Sequence, residues 1–218
     1  MKLMATGNTA EVFEYDEGKV CKLFKDGYPL DSIKREFENT LLMNTASINT
    51  PKAYEIIEHD GRHGIVFEKI TGVDLMSEFL KNPEDKNLAA EIIENLSKLQ
   101  KELLSSESKN GISYKDFLRY FGFEKADHLP DGKNICHGDL HPGNIIRTPE
   151  NKFYLIDFMN VCLGPKEYDV ARTYVLLTEN NPAAKETGEI YLSLMEMSFV
   201  QIEPYLEAIY FCRKKEML

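Results

Sequence analysis

The chain has 218 residues, 43% hydrophobic and 28% charged, with 13 Gly and 9 Pro, a composition that predicts packed globular structure and excludes long disordered regions. A formal net charge of -10 weighs against nucleic acid as a partner, because phosphate-backbone binding needs a basic face that releases counterions. No apolar run reaches the roughly 18 residues that span a bilayer, and the opening stretch lacks the apolar core of a signal peptide, so a cytoplasmic chain with no membrane partner is expected.

The first elements are strand-like. "EVFEYDEGKVCKLFK" alternates on both sides of Asp16-Glu17-Gly18, and "KAYEIIEHDGRHGIVFEKI" repeats the pattern around Asp60-Gly61, so two β-hairpins are expected, with further pairing near Met1. Between them, "PLDSIKREFENTLLMNT" predicts a helix capped by Asp31 or Ser32, with an apolar stripe of Ile33, Phe37 and Leu41. After a boundary near Thr71-Gly72 the pattern turns helical: Leu88, Ile92, Leu96, Leu99 and Leu103 recur at helical spacing. A short hairpin over Asn144 to Arg147 and Phe153 to Phe158 interrupts it, and three helices follow from Tyr168, separated at Asn181-Pro182 and near Pro204. The four cysteines, Cys21, Cys136, Cys162 and Cys212, show no zinc spacing and read as buried free thiols.

The segment "ICHGDLHPGNII", residues 135 to 146, concentrates the polar chemistry. His137, Asp139 and His141 alternate, which would suit a metal on an extended strand, but Pro142-Gly143 directly after favours a turn. A second reading has Asp139 and Asn144 merely capping that turn. The third is catalytic. Asp139 is followed five positions on by Asn144 and then by Asp157 at the end of the apolar run "FYLIDF". Phosphoryl transfer needs one carboxylate for the acceptor's proton, and an amide oxygen and a second carboxylate for magnesium. It also needs a fixed cation on the donor's phosphates, for which Lys22 in "KVCKLF" is the candidate, with a helix glutamate to hold it. Periodicity leaves Glu36 and Glu38 equivalent, one on each flank of the expected apolar stripe.

With these residues in place, the sequence resembles the aminoglycoside phosphotransferase and choline kinase family over nearly its whole length. "HGDLHPGN" is similar to that family's catalytic loop and "LIDF" to its magnesium-binding segment. The resemblance implies an α+β, bilobal protein-kinase-like fold: a small antiparallel-sheet lobe with one helix over 1–70 that binds nucleotide, and a larger, mainly helical lobe over 71–218 for catalysis and substrate. It implies a kinase that moves the γ-phosphate of ATP, with magnesium, to a hydroxyl of a small metabolite or antibiotic. On that likeness Asp139 is the general base, Asn144 and Asp157 hold magnesium, Lys22 meets the donor's phosphates, and Glu36 becomes the preferred partner of Lys22. Gly7, Asn8 and Thr9 occupy the place of the phosphate-covering loop, and the backbone of Glu68, Lys69 and Ile70 that of the adenine-binding hinge. His137 and Asp169 are expected to support the catalytic loop. The short interval from Asp157 to Asp169, with Met159 where protein kinases carry a glycine, leaves no room for a long activation loop and favours a small-molecule acceptor. The alternative is a nucleotide-binding pseudokinase acting as scaffold or regulator. No residue in the sequence selects among aminoglycoside, amino alcohol, sugar and hydroxylated amino acid, or indicates an oligomeric state.

Overall fold

Two tight turns organise the start of the chain in a computed structural model that describes residues 1–179, 181 and 183–216. Strands β1 (Lys2–Thr6), β2 (Ala10–Asp16) and β3 (Lys19–Phe24) precede helix α1 (Leu30–Met43) and strands β4 (Ala53–His59) and β5 (Arg62–Glu68). They form one antiparallel sheet in the order β1-β2-β3-β5-β4. Both expected hairpins are present, and β1 adds the further pairing near Met1. In the β4–β5 turn, Asp60 and Gly61 both have positive φ, 50° and 76°, as a two-residue hairpin turn that follows the twist of its strands requires.

Helix α1 departs from its sequence reading in two ways. It starts one residue ahead of Asp31, with Pro29 rather than Asp31 or Ser32 as its N-cap, and no side chain closes that end. Asp31 instead lies in the first turn, where a negative charge suits the helix dipole. The buried line is Ile33, Glu36, Asn39, Thr40 and Met43, while Leu41 is 46% exposed and Phe37 only partly buried. Apolar periodicity misplaced the face because three of its inward residues, Glu36, Asn39 and Thr40, are polar. Thr40 Oγ1 donates to the Glu36 carbonyl at 2.8 Å and Asn39 Nδ2 to the Phe158 carbonyl at 2.8 Å.

The chain continues through β6 (Val73–Asp74), α2 (Leu75–Lys81), α3 (Lys86–Leu104), α4 (Tyr114–Tyr120), β7 (Asn134–Cys136), β8 (Ile145–Arg147), β9 (Phe153–Leu155) and β10 (Cys162–Gly164), and ends with α5 (Lys166–Thr178), α6 (Ala184–Leu194) and α7 (Phe199–Glu216). Asp85 caps α3 through the amides of Asn87 and Leu88, and α3 buries Ile92, Leu96 and Leu103 as expected but also the polar Ser97 and Gln100. The break expected near Pro204 is absent: Pro204 lies inside α7. The carbonyl it leaves without an N–H donor is that of Val200, a residue 73% exposed, where solvent can take the place of the lost bond. Pro182, expected to separate α5 from α6, lies outside the described residues. All four cysteines are free and buried. Among the described residues, no helix is long and apolar enough to cross a membrane.

Contacts divide the chain into two units, Met1–Val73 with Ile146–Met159, and Asp74–Ile145 with Asn160–Leu218. Residues 146–159, which the sequence places among the helices of the second part, belong to the first unit. The ties are specific: Leu155 N donates to the Asn49 carbonyl at 3.0 Å, and Asn39 reaches the Phe158 carbonyl. The core of the first unit is Ala10, Phe24, Ile33, Ile65 and Phe67, with Phe37, Ile56 and Met159 packed at its margin. The second unit stacks Tyr114 of α4, Tyr168 of α5 and Tyr205 of α7 at ring separations of 4.7 to 6.3 Å. The revised face of α1 is open to test by urea unfolding. Met43→Ala, at a fully buried site, is expected to cost about 2–5 kcal/mol, and Leu41→Ala about 0.5 kcal/mol or less.

Candidate active site

Alternation along β3 decides where Lys22 points. Val20 and Phe24, two residues to either side, face the core under α1, so Lys22 shares that face rather than the solvent side. Its ammonium lies 5.5 Å from the centre of the Phe24 ring. A charge in that position needs partners, and it has two. Lys22 Nζ lies 2.7 Å from Glu36 Oε1 and 3.1 Å from Asp157 Oδ1. Glu36 stands one turn beyond Ile33 on the buried face of α1, whereas Glu38 is exposed. The ion pair therefore separates two glutamates that periodicity could not.

The electrostatics follow from burial. Desolvation alone would pull the Lys22 pKa down, but the Asp157 and Glu36 carboxylates outweigh it and hold the ammonium above the ordinary lysine value. Burial pushes the Glu36 carboxyl up to about 7 against the opposing pull of Lys22, and the Asp157 charge adds to the rise. Glu36 Oε2 is buried and has no hydrogen-bond partner among the described residues. Asp157 sits at φ 67°, a left-handed conformation that is strained for any residue with a side chain and that persists where the surroundings enforce it. Asn39, which holds the next carbonyl, supplies that enforcement.

In the second unit the segment after β7 is a bent loop. Gly138 has φ 75°, and a Cβ on it would lie 2.2 Å from the Asn160 carbonyl oxygen, so only glycine fits and the alternation of His137, Asp139 and His141 is broken. Asp169 Oδ1 accepts the Gly138 amide at 2.8 Å, and its Oδ2 accepts Gln100 Nε2 at 2.9 Å. Gln100 is in turn fixed by the Tyr191 hydroxyl at 2.6 Å. His137 is fully buried. His141 Nδ1 accepts the Gly143 amide, so it caps the turn over Pro142–Asn144. Asp139 is left partly exposed, at 29% of its side chain, and Asn144 Nδ2 donates to the Asp139 carbonyl at 2.8 Å.

The donor atoms fit a hard cation and do not fit zinc. Among the described residues no group of three His, Cys, Asp or Glu is placed to hold a metal. In the first unit, the Lys22 ammonium faces two carboxylates, Glu36 and Asp157, and the Asp157 side chain is 45% exposed. In the second, the bond from Asn144 Nδ2 turns its Oδ1 away as an oxygen donor, the atom type magnesium takes. Gly7, Asn8 and Thr9 form the exposed turn between β1 and β2, closed by Gly7 N to the Ala10 carbonyl at 2.8 Å. At the end of β5, the Glu68 and Lys69 amides are engaged by the Lys52 and Gly18 carbonyls, so of the three residues expected at the hinge only the Ile70 amide is not bonded to a backbone carbonyl among the described residues.

Several residues of the site escaped the sequence reading. Asn39 and Gln100 carry no motif and sit at helical positions that look like solvent-facing amides. Arg172, three residues beyond Asp169, donates from Nε to the Gly138 carbonyl at 2.8 Å and from Nη2 to Asp139 Oδ1 at 3.2 Å. Its signal was present in "YDVAR", where an arginine one helical turn past a buried aspartate shares its face.

Glu36 binds its proton more tightly in the folded chain than at the ordinary carboxylate value of 4.5. Its contribution to stability is thus fully present below pH 4.5 and is lost as pH rises through about 7. Urea midpoints measured from pH 4.5 to 8 are expected to show this decline in the parent chain and a flatter profile in Glu36→Gln. Parallel profiles would show that Glu36 does not titrate in this window.

Residues 124–193 match the model of the phosphotransferase enzyme family. No curated protein matches the chain. Among solved structures, the ternary complex of APH(2'')-IIa with streptomycin and ATP aligns with a TM-score of 0.63 at 17% identity, over 94% of this chain and 80% of that one. An aminoglycoside-3'-phosphotransferase of type VIII aligns with a TM-score of 0.67 at 15% identity, over 95% and 90%. APH(3'')-Id from Streptomyces rimosus, in complex with ADP and streptomycin, aligns with a TM-score of 0.62 at 15% identity, over 92% and 90%. The chain therefore carries a phosphotransferase-family signature over the segment that contains Asp139, Asn144, Asp157 and Asp169, on the protein-kinase-like fold of the aminoglycoside phosphotransferases.

Proposed function

We propose that the chain is a small-molecule kinase that transfers the γ-phosphate of ATP to a hydroxyl group of a small metabolite or antibiotic. The observation that carries this reading is the Lys22 ammonium held between Glu36 and Asp157, with Asp157 at a strained backbone angle. A buried, doubly paired lysine beside an exposed carboxylate is costly as structure alone and is what a phosphate-binding cation with a metal ligand requires. The family match and the similar structures that hold ATP or ADP with streptomycin support the same class.

In this reading Asp139 accepts the proton of the acceptor hydroxyl as that oxygen attacks the γ-phosphorus. The new P–O bond forms as the bond to the β,γ-bridging oxygen breaks, and ADP leaves. Lys22 neutralises charge on the donor's phosphates, and the backbone of Gly7, Asn8 and Thr9 lies along them. Ile70, with its neighbours Glu68 and Lys69, supplies the backbone contact to the adenine. Asn144 and Asp157 would hold magnesium, whose charge offsets that of the phosphates. Arg172 and Asp169 keep the loop around Asp139 in shape.

ADP release from Mg-ATP with pooled aminoglycosides, amino alcohols, sugars and hydroxylated amino acids tests the proposal. Turnover that depends on one pool is expected, with Asp139→Asn lowering it by about 10²- to 10⁴-fold while leaving nucleotide binding intact. Asp157→Ala is expected to remove turnover and to weaken stabilisation by Mg-ATP, which in the parent should reach about 2.7 kcal/mol at about 100 times the dissociation constant. Nucleotide binding with no transfer to any pool would favour a pseudokinase. Near-parental turnover in Asp139→Asn would remove Asp139 from the role of base.

A further inference from the structure

The candidate base belongs to an ion-pair network that reaches the last helix. Arg172 of α5 is 2% exposed and is anchored by its Nε on the Gly138 carbonyl. Its Nη2 is shared unequally: it lies 2.9 and 2.7 Å from the two carboxylate oxygens of Glu216, on α7, and 3.2 Å from Asp139 Oδ1. Glu216 Oε2 also meets Arg213 Nη1 at 3.3 Å, and Arg213 Nη2 meets Glu179 at 2.8 Å. Two guanidiniums thus face three carboxylates, Asp139, Glu216 and Glu179.

The surplus negative charge falls on Asp139, which is the most exposed of the three carboxylates and whose shortest contact to a guanidinium is the longest of the three. The side chains of Asp139, Glu179 and Glu216 are 29%, 23% and 16% exposed. A guanidinium fully committed to a carboxylate binds it through two parallel bonds. Arg172 gives no carboxylate that geometry: its Nη2 alone serves both oxygens of Glu216 and Oδ1 of Asp139, and Asp139 Oδ2 stays clear of Arg172. An Arg172 released from Glu216 would have only Asp139 as an acid partner in this network and would close on it.

Resting on the reading of Asp139 as the base, we infer that Arg172 is a positioning residue for Asp139 and that Glu216, by occupying the same guanidinium, limits how tightly Arg172 holds it. Helix α7 thereby takes part in setting the reactive carboxylate, a role that no motif in its sequence announces. Neither Arg172 nor Glu216 needs to touch substrate for this.

The test is a double-mutant cycle on folding equilibrium, read by urea unfolding of the full chain, together with turnover. If Glu216 limits the hold, Asp139→Asn should lower the folding constant at least about threefold more in a Glu216→Gln background than in the parent, within the range of coupling found between groups that share a partner. Additive effects would overturn the proposal. Glu216→Asp, which shortens the reach but keeps the charge, replaces Glu216→Gln if the latter does not fold. With Mg-ATP and the pooled hydroxyl acceptors, Glu216→Gln is expected to lower kcat by about tenfold with the KM for ATP unchanged. Arg172→Lys, which keeps the charge but loses the fork, should also lower kcat without a change in that KM. A fall confined to KM would overturn the positioning role. The cycle decides the clamp whether or not any acceptor turns over, and the activity of Asp139→Asn separately decides the reading of Asp139 as base.

Discussion

A charged amine on the core-facing side of the sheet, under α1, constrains the first unit more than any single packing contact. Lys22 lies on the core-facing side of β3, and its charge is tolerable there only because Glu36 and Asp157 meet it. Removing one partner of such a group leaves a buried charge without compensation, which typically costs more than the pair contributes. That requirement sets the face of α1, since Glu36 has to point inward. It also sets the segment after β9, since Asp157 has to reach back toward the sheet at a backbone angle that only enforced positions adopt.

The second unit applies a similar logic with different groups. Its loop is shaped by buried hydrogen bonds: Asp169 on the Gly138 amide, Gln100 on Asp169, Tyr191 on Gln100. Each polar group is satisfied, so the cluster adds rigidity rather than a desolvation penalty. Each unit leaves one carboxylate accessible, Asp157 in one and Asp139 in the other. In each, the carboxylate that shares its cation is more deeply buried, Glu36 in one and Glu216 in the other.

Local signals were the legible ones. The hairpins around Gly18 and Gly61 could be read because turn chemistry and alternation act over a few residues. The helix at 86–104 could be read because its apolar repeat is long. The short pieces could not: α2 and α4 have seven residues each, and β7 and β10 have three, too few for a period to emerge. Pro204 misled because the cost of a proline inside a helix depends in part on whether the carbonyl it orphans is open to solvent, and exposure of that turn is a tertiary fact. The stripe on α1 misled because hydrophobicity stands in for burial, and Glu36, Asn39 and Thr40 are buried polar groups.

By itself the sequence determined the identity and order of the groups proposed to react. The spacing of Asp139, Asn144 and Asp157, and the presence of an upstream lysine in an alternating strand, restrict the chemistry because phosphoryl transfer requires those group types. Only the tertiary structure decided which glutamate meets Lys22, that residues 146–159 belong to the first unit, and that Arg172 and Glu216 stand behind Asp139. Each of these depends on contacts between residues from 14 to 135 positions apart. Such pairings arise when burial makes an unpartnered charge or amide too costly, and that cost exists only once the core has formed.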